Sequence, residues 1–182
     1  MSRVLVPIAE GSEELEAITV VDLLRRARID VVIAGPTEDP VVMSRQVVIL
    51  PDASLDEVMD QDFDMLMIPG GSPGTDNLMK DERIQTLIRK MSGEGKYLAA
   101  ICAGPKIFAH AGLLDGKRVT SFPGALDLPE RPAVKSTGGA IEVDGKIATS
   151  RGPGTAMAFG LKLIELLEGP ARRDEVDSRL QR

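Results

Sequence analysis

A three-layer α/β sandwich, with helices on both faces of a mostly parallel sheet, is the fold that this sequence predicts. Two observations carry it. Short apolar runs recur without the polar alternation of a half-exposed strand, and segments of helical period lie between them. Strands buried on both faces and alternating with helices build βαβ units. Residues 4–9, 30–34, 43–50, 65–68, 97–101 and 119–122 read as strands in that order. Residues 140–143 and 147–150 follow, with Asp144-Gly145 between them as a hairpin signal. Helical patterns occupy 13–27, 81–91, 105–113 and 155–167; in the last, Ala156, Phe159, Gly160, Leu163, Leu166 and Leu167 share one face. Residues 174–182 are polar and read as a frayed helical tail.

The 182 residues suit one domain spanning 1–182, large enough for a full core without a metal or disulfide staple. The 22 Lys and Arg against 28 Asp and Glu give a net charge of −6, which argues against a nucleic-acid backbone binder. Four Phe, one Tyr and no Trp leave little for stacking on bases. The longest uncharged run, residues 65–75, is 11 residues broken by Pro and Gly, whereas a membrane span needs about 20. The apolar stretch 4–9 is too short for a signal peptide. With a single cysteine no internal disulfide forms, and the expected location is cytoplasmic.

Chemistry in such a sheet collects beyond the carboxyl ends of the strands. Ala100-Ile101-Cys102-Ala103-Gly104, between a strand and a helix, has the small-x-nucleophile-x-Gly form of a nucleophile elbow. Buried free cysteines are commonly inert, but this turn exposes the side chain, and a helix N-terminus is expected to lower the thiol pKa. Glu16 shares a helix face with Val20, Leu23 and Ala27, so a carboxylate sits in a core-facing stripe and is expected to hold its proton more tightly. Glu13 and Glu14 read as acidic first-turn residues that complement the helix dipole. Pro69-Gly70-Gly71 offers unobstructed backbone N–H groups, as a plain turn or as the wall of an oxyanion hole. Gly152-Pro153-Gly154-Thr155 is an anion-binding turn or simply a helix start. The only histidine, His110, lies two helical turns past Cys102 and is poorly placed as its base; one His and one Cys make no structural zinc site.

Together these residues resemble the ThiJ/PfpI superfamily, in its DJ-one-like branch. The marks are Glu10-Gly-Ser-Glu-Glu-Leu-Glu16, Pro69-Gly-Gly71, Ala99-Ala-Ile-Cys-Ala-Gly-Pro105 and Thr149-Ser-Arg-Gly-Pro-Gly-Thr155, with Met43-Ser-Arg45 and Leu50-Pro-Asp-Ala-Ser-Leu55 in support. The resemblance implies a flavodoxin-like sandwich of the class I glutamine amidotransferase type and a homodimer. It implies a reactive Cys102 hydrogen-bonded to a protonated Glu16, with oxyanion donors on the N–H groups of Gly71 and Ala103. Arg45 near the site and Arg26 at the dimer edge match family arginines and are the candidate substrate- or anion-binding residues. The implied activity is a cofactor-free, metal-free glyoxalase or deglycase acting on methylglyoxal, glyoxal and glycated amines or thiols in carbonyl stress. The second implied role is an oxidative-stress sensor and redox-regulated chaperone using Cys102. Phe122 stands where the human-type protein has a histidine and bacterial relatives have Phe. Ala103 replaces the histidine of the protease branch, so protease activity does not transfer. Arg28 replaces a helix-ending glycine, expected to cost about 1 kcal/mol if that position has φ > 0.

Overall fold

Consecutive strand residues point to opposite faces of a sheet, so a strand with no polar position must be covered on both sides. The computed structural model, which describes residues 1–181, meets that demand with a seven-stranded sheet and two separate hydrophobic cores. The chain order begins β1 (Arg3–Pro7), α1 (Glu14–Arg26), β2 (Asp30–Gly35), β3 (Val41–Val42), β4 (Val48–Ile49) and β5 (Ala53–Ser54). It continues with α2 (Leu55–Val58), β6 (Met65–Ile68), α3 (Ser72–Lys80), α4 (Glu82–Gly93), β7 (Tyr97–Ile101) and α5 (Pro105–His110). β8 (Ile141–Asp144), β9 (Ile147–Ser150), α6 (Ala156–Glu168) and α7 (Pro170–Arg179) complete it.

The sheet order is β5-β2-β1-β6-β7-β9-β8, and every pair is parallel except β8–β9. Val4, Val6, Met65, Met67, Ala99 and Ile101 face one core with α1 and α6, whereas Leu5, Leu66, Ile68, Leu98 and Ala100 face the other with α4 and α5. The predicted three-layer α/β sandwich is therefore the observed architecture. Among the described residues no helix is long and apolar enough to cross a membrane.

Several elements differ from the sequence expectation. Residues 43–50 are no strand of the main sheet. They carry the turn and second strand of the β3–β4 hairpin, closed by the Met43 N–H donating to Val47 O at 2.9 Å. Residues 119–122 make only an isolated bridge, Val119 to Ser136. Side chains take over part of the ladder there: Thr120 N–H donates to Thr149 Oγ1 and Ser121 N–H to Ser136 Oγ. Helix α3 escapes sequence reading because it buries only Gly74, Thr75 and Leu78, too sparse a stripe to show a period. α2 was equally silent; Glu57 accepts from both the N–H and the hydroxyl of Ser54, at 2.8 Å each. The expected tail belongs to α7, which starts earlier, at Pro170, and buries Val176; residue 182 lies outside the described residues.

Three helices end in the same Schellman motif. After α4, Lys96 N–H donates to Met91 O and Gly95 N–H to Ser92 O; after α5, Leu113 pairs with Phe108 and Gly112 with Ala109 in the same way. After α1, Ile29 N–H donates to Leu24 O and Arg28 N–H to Arg25 O. The left-handed position is glycine in the first two cases (φ 69 and 74) and exposed Arg28 (φ 62) in the third. A side chain there is disfavoured by contact of Cβ with the backbone. Arg28→Gly is expected to stabilise the fold by about 0.5–1 kcal/mol in urea unfolding; an unchanged midpoint would show that the motif is unstrained.

Candidate active site

β1 has β2 on one side and β6 on the other, so the chain order reverses across the β1–β6 boundary. A crevice opens at such a switch point, beyond the strand carboxyl ends. Three segments converge there: residues 10–16 after β1, 69–72 after β6, and 102–104 after β7. A backbone hydrogen bond from Glu13 N–H to Gly70 O joins the first two, and one from Cys102 N–H to Ser150 O ties the third to the end of β9, both 2.9 Å.

Cys102 has φ 63, a conformation that a non-glycine residue rarely adopts and that marks the strained strand-to-helix elbow. Its side chain is partly accessible. Glu16, in the first turn of α1, is wholly buried (0% exposed), and Gly70 N–H donates to its Oε2 at 2.7 Å. The other carboxylate oxygen, Oε1, is buried with no hydrogen-bond partner, and the Cys102 thiol lies close enough to this carboxyl group to act on its proton. Gly70 separates the two. A Cβ there would lie 2.5 Å from Glu16 Oε2, 2.6 Å from Cys102 Cβ and 3.0 Å from Sγ, so only glycine fits.

Burial pushes the Glu16 carboxyl up to about 7, and the nearby Glu13 charge acts the same way; the Gly70 N–H and the Cys102 thiol pull against them. The sequence expectation of a lowered thiol pKa is not met. Burial, followed by the adjacent Glu16 carboxylate, pushes Cys102 up to about 12, against the N–H groups of Gly71 and Ala103 that reach the sulfur. The elbow argument accounted for donors at the turn but not for a buried carboxylate beside them. A thiolate here requires Glu16 to carry the proton, since two adjacent buried negative charges repel strongly.

An open cleft of about 660 Å³ leads to Cys102 and takes Glu13, Ser44, Arg45, Gly71, Ala103 and Phe122 into its walls. The structure thus gathers Cys102, Glu16, Gly71, Ala103 and Arg45. It does not gather Arg26, which lies ten residues along α1 from Glu16, about 15 Å of helix rise. There it pairs with Asp22 at 2.6 Å and lies beside Glu175 and Arg179 of α7. His110 is exposed at the far end of α5. Among the described residues no three His, Cys, Asp or Glu side chains group to hold a metal. Thr155 holds its own turn, accepting from Gly152 N–H at 3.1 Å and donating to Gly152 O at 2.8 Å.

Sequence reasoning missed Glu14. Buried though it is, its carboxylate accepts from Arg45 N–H at 2.7 Å, Val47 N–H at 3.4 Å and the Ser44 hydroxyl at 2.8 Å. Burial opposes its charge, but these bonds and one from its own N–H hold its pKa below the usual carboxylate range. Glu14 therefore fixes the turn that carries Arg45 over the cleft. Nothing in the local sequence signals a partner 30 residues away.

The raised Glu16 pKa makes a statement about stability. A carboxyl that binds its proton more tightly folded than unfolded contributes stability that is fully present below about 4.5 and lost as pH rises through about 7. Wild-type unfolding free energy is expected to fall across that window, by on the order of 3 kcal/mol from this group. Glu16→Gln, neutral throughout, should lose that slope in parallel urea titrations; an identical slope in the variant would remove Glu16 as its source.

The sequence matches the DJ-1/PfpI family over residues 2–166. It is 39% identical over 170 residues to the Parkinson disease protein 7 homolog of Danio rerio, covering 92% of this chain and 90% of that protein. It is 34% identical over 167 residues to the glutathione-independent glyoxalase DJR-1.2 of Caenorhabditis elegans, covering 92% and 89%. The solved structure of oxidized Toxoplasma gondii DJ-1 superposes with a TM-score of 0.92 at 36% identity, over 100% of this chain and 98% of that one. The chain spans only 45% and 41% of the length of two Arabidopsis thaliana relatives, DJ-1 homologs A and B. Family match, identity over nearly the whole chain and common fold agree: the chain belongs to the DJ-1/PfpI family.

Proposed function

We propose that the protein is a cofactor-independent cytoplasmic glyoxalase and deglycase, using Cys102 as nucleophile and Glu16 as its proton partner on methylglyoxal, glyoxal and their early adducts. The observation that carries this reading is the buried Glu16–Cys102 pair with the N–H groups of Gly71 and Ala103 at the sulfur. Its relative from Caenorhabditis elegans, named as a glutathione-independent glyoxalase, supports it.

With Glu16 near 7, both protonation states are accessible at neutral pH. As sulfur bonds to the aldehyde carbon, the thiol proton passes to the Glu16 carboxylate and the carbonyl oxygen becomes an oxyanion facing the Gly71 and Ala103 N–H groups. Protonation of that oxygen gives the hemithioacetal. Loss of the proton on the former aldehyde carbon, and its return to the neighbouring carbon, passes through an enediol to a thioester. Water cleaves the thioester, releasing a hydroxy acid and restoring the thiol. One carbon is oxidised as its neighbour is reduced, so no external electron carrier is needed. In deglycation, the same attack on an early adduct carbon releases the free amine or thiol. Arg45 at the cleft wall suits the carboxylate product.

Conversion of methylglyoxal to lactate, followed by proton NMR, is expected for wild type, with a loss of at least about 100-fold in Cys102→Ala and at least about 10-fold in Glu16→Gln. Absence of turnover by folded wild type would overturn the enzyme reading in favour of a redox sensor and redox-regulated chaperone. In that reading the same two N–H groups and protonated Glu16 would hold the oxygens of an oxidised Cys102.

We also propose that the working form is a homodimer. Leu15 and Ile18 of α1 and Val42, Val47, Val48 and Leu50 of the β3–β4 hairpin and its ends are exposed. Gly11 N–H donates to Val42 O at 2.9 Å, which joins the approach to α1 and the hairpin into one face. An apolar patch of this kind on a charged surface marks an interaction site. Sedimentation velocity should give a dimer for wild type and a shift to monomer for Val48→Asp; a wild-type monomer at micromolar concentration would exclude the idea.

A further inference from the structure

The cleft above Cys102 has two chemically different walls. One is polar and comes from the start of α1 and the hairpin turn: Glu13, Ser44 and Arg45. The other is apolar and comes from Phe122, Pro123 and Pro153. Phe63, Phe108 and Phe159 are buried, whereas Phe122 is 50% exposed and lines the cleft. Its place is fixed. The Phe122 N–H donates to the carbonyl oxygen of Cys102 at 2.9 Å, which ties it to the nucleophile's own backbone. On the other side, its ring Cδ2 lies 3.4 Å from where a Cβ on Gly152 would stand, so the ring rests against the Gly152 backbone beside Pro153.

We propose that Phe122 is a specificity-determining residue, whose ring with Pro123 and Pro153 makes the Cys102 cleft select carbonyl electrophiles carrying an aryl or bulky apolar substituent. An aryl group bound there would cover Phe122 by offset or edge-to-face packing and leave the reacting carbonyl at the sulfur. The polar wall would then face the oxygen-bearing end. A compound with only hydrogen or methyl in that position reaches the same sulfur but leaves Phe122 in water. The extension to turnover of aryl-substituted 2-oxoaldehydes rests on the dicarbonyl reading above; the selectivity itself does not.

Two assays separate those claims. The first compares alkylation of Cys102 by phenacyl bromide and bromoacetone, two reagents that differ only in phenyl for methyl. In both, the sulfur bonds to the methylene carbon, bromide leaves with the bonding pair, and the thiol proton is lost. Rates are followed by intact mass and normalised to N-acetylcysteine. The normalised phenacyl-to-acetonyl ratio is expected to exceed one by about 3- to 10-fold in wild type, a range set by aromatic packing. It should fall toward one in Phe122→Ala and be largely kept in Phe122→Leu, with unchanged melting temperatures showing that both variants fold. A wild-type ratio of one or less, or an equal ratio in Phe122→Ala, overturns the proposal. The second assay compares kcat/KM for phenylglyoxal and methylglyoxal, with the preference expected mainly in KM. Aryl-selective alkylation without turnover of either substrate would support the role of Phe122 and overturn the glyoxalase reading alone.

Discussion

Only one negative charge can be held where Glu16 meets Cys102, and the site is arranged around that constraint. Glu16 lies out of water and Cys102 is partly withdrawn from it, so the charged form of either is penalised, and a second charge beside the first is penalised further. The answer is a shared proton and a few fixed dipoles. Gly70 N–H meets one Glu16 oxygen, and the N–H groups of Gly71 and Ala103 meet the sulfur. Backbone donors suit this purpose because they cannot rotate away and do not ionise at neutral pH. Gly70 must lack a Cβ to bring its N–H this close, and Cys102 must accept a left-handed φ to present its sulfur to the same point.

The sheet makes this arrangement stiff. β1, β6 and β7 are adjacent parallel strands, so their carboxyl ends arrive side by side, each followed by a turn that supplies one part of the site. Both faces of those strands are covered by core, which leaves the turns little freedom to shift relative to one another. α1 begins at the site, and its direction decides which of its residues take part. Glu13, Glu14 and Glu16 are at the near end, whereas Arg26 is carried to the far end. Three neighbouring acids thereby take three tasks: Glu13 lines the cleft, Glu14 anchors the hairpin turn, and Glu16 meets the thiol.

What could be read from the sequence follows the range of the forces involved. Strands buried on both faces are written as continuous apolar runs, and β1, β2, β6 and β7 were legible for that reason, whereas β8 and β9 were legible from the Asp144-Gly145 turn between them. The elbow at Cys102 and the apolar-striped carboxylate at Glu16 were legible too, because each is a local pattern. Residues 119–122 misled, since Val119 is buried at an isolated bridge and Phe122 lines the cleft, while Thr149 and Ser136 side chains replace the strand partners. Residues 43–50 misled because a turn at 44–46 is tied down by Glu14, a partner remote in sequence. The thiol pKa was misjudged in the same way. The turn is local, but the carboxylate that opposes ionisation comes from a helix more than 80 residues earlier.

The proton shared by Glu16 and Cys102 also explains why a catalytic and a sensing reading converge on the same atoms. A thiolate made available by protonating its neighbour is nucleophilic toward carbonyl carbon and toward peroxide alike, and the donors that hold an oxyanion would hold a sulfinate oxygen as well. The sulfur's immediate surroundings therefore cannot favour one reaction over the other. The cleft can, because peroxide is small and indifferent to the walls, whereas a carbonyl compound has a substituent that must lie against them. A half-exposed aromatic ring, on a residue whose backbone N–H is bonded to the nucleophile's own carbonyl, is the feature of this cleft that distinguishes the two classes of reagent. Selectivity at Phe122 thus bears on function more directly than the reactivity of Cys102 does.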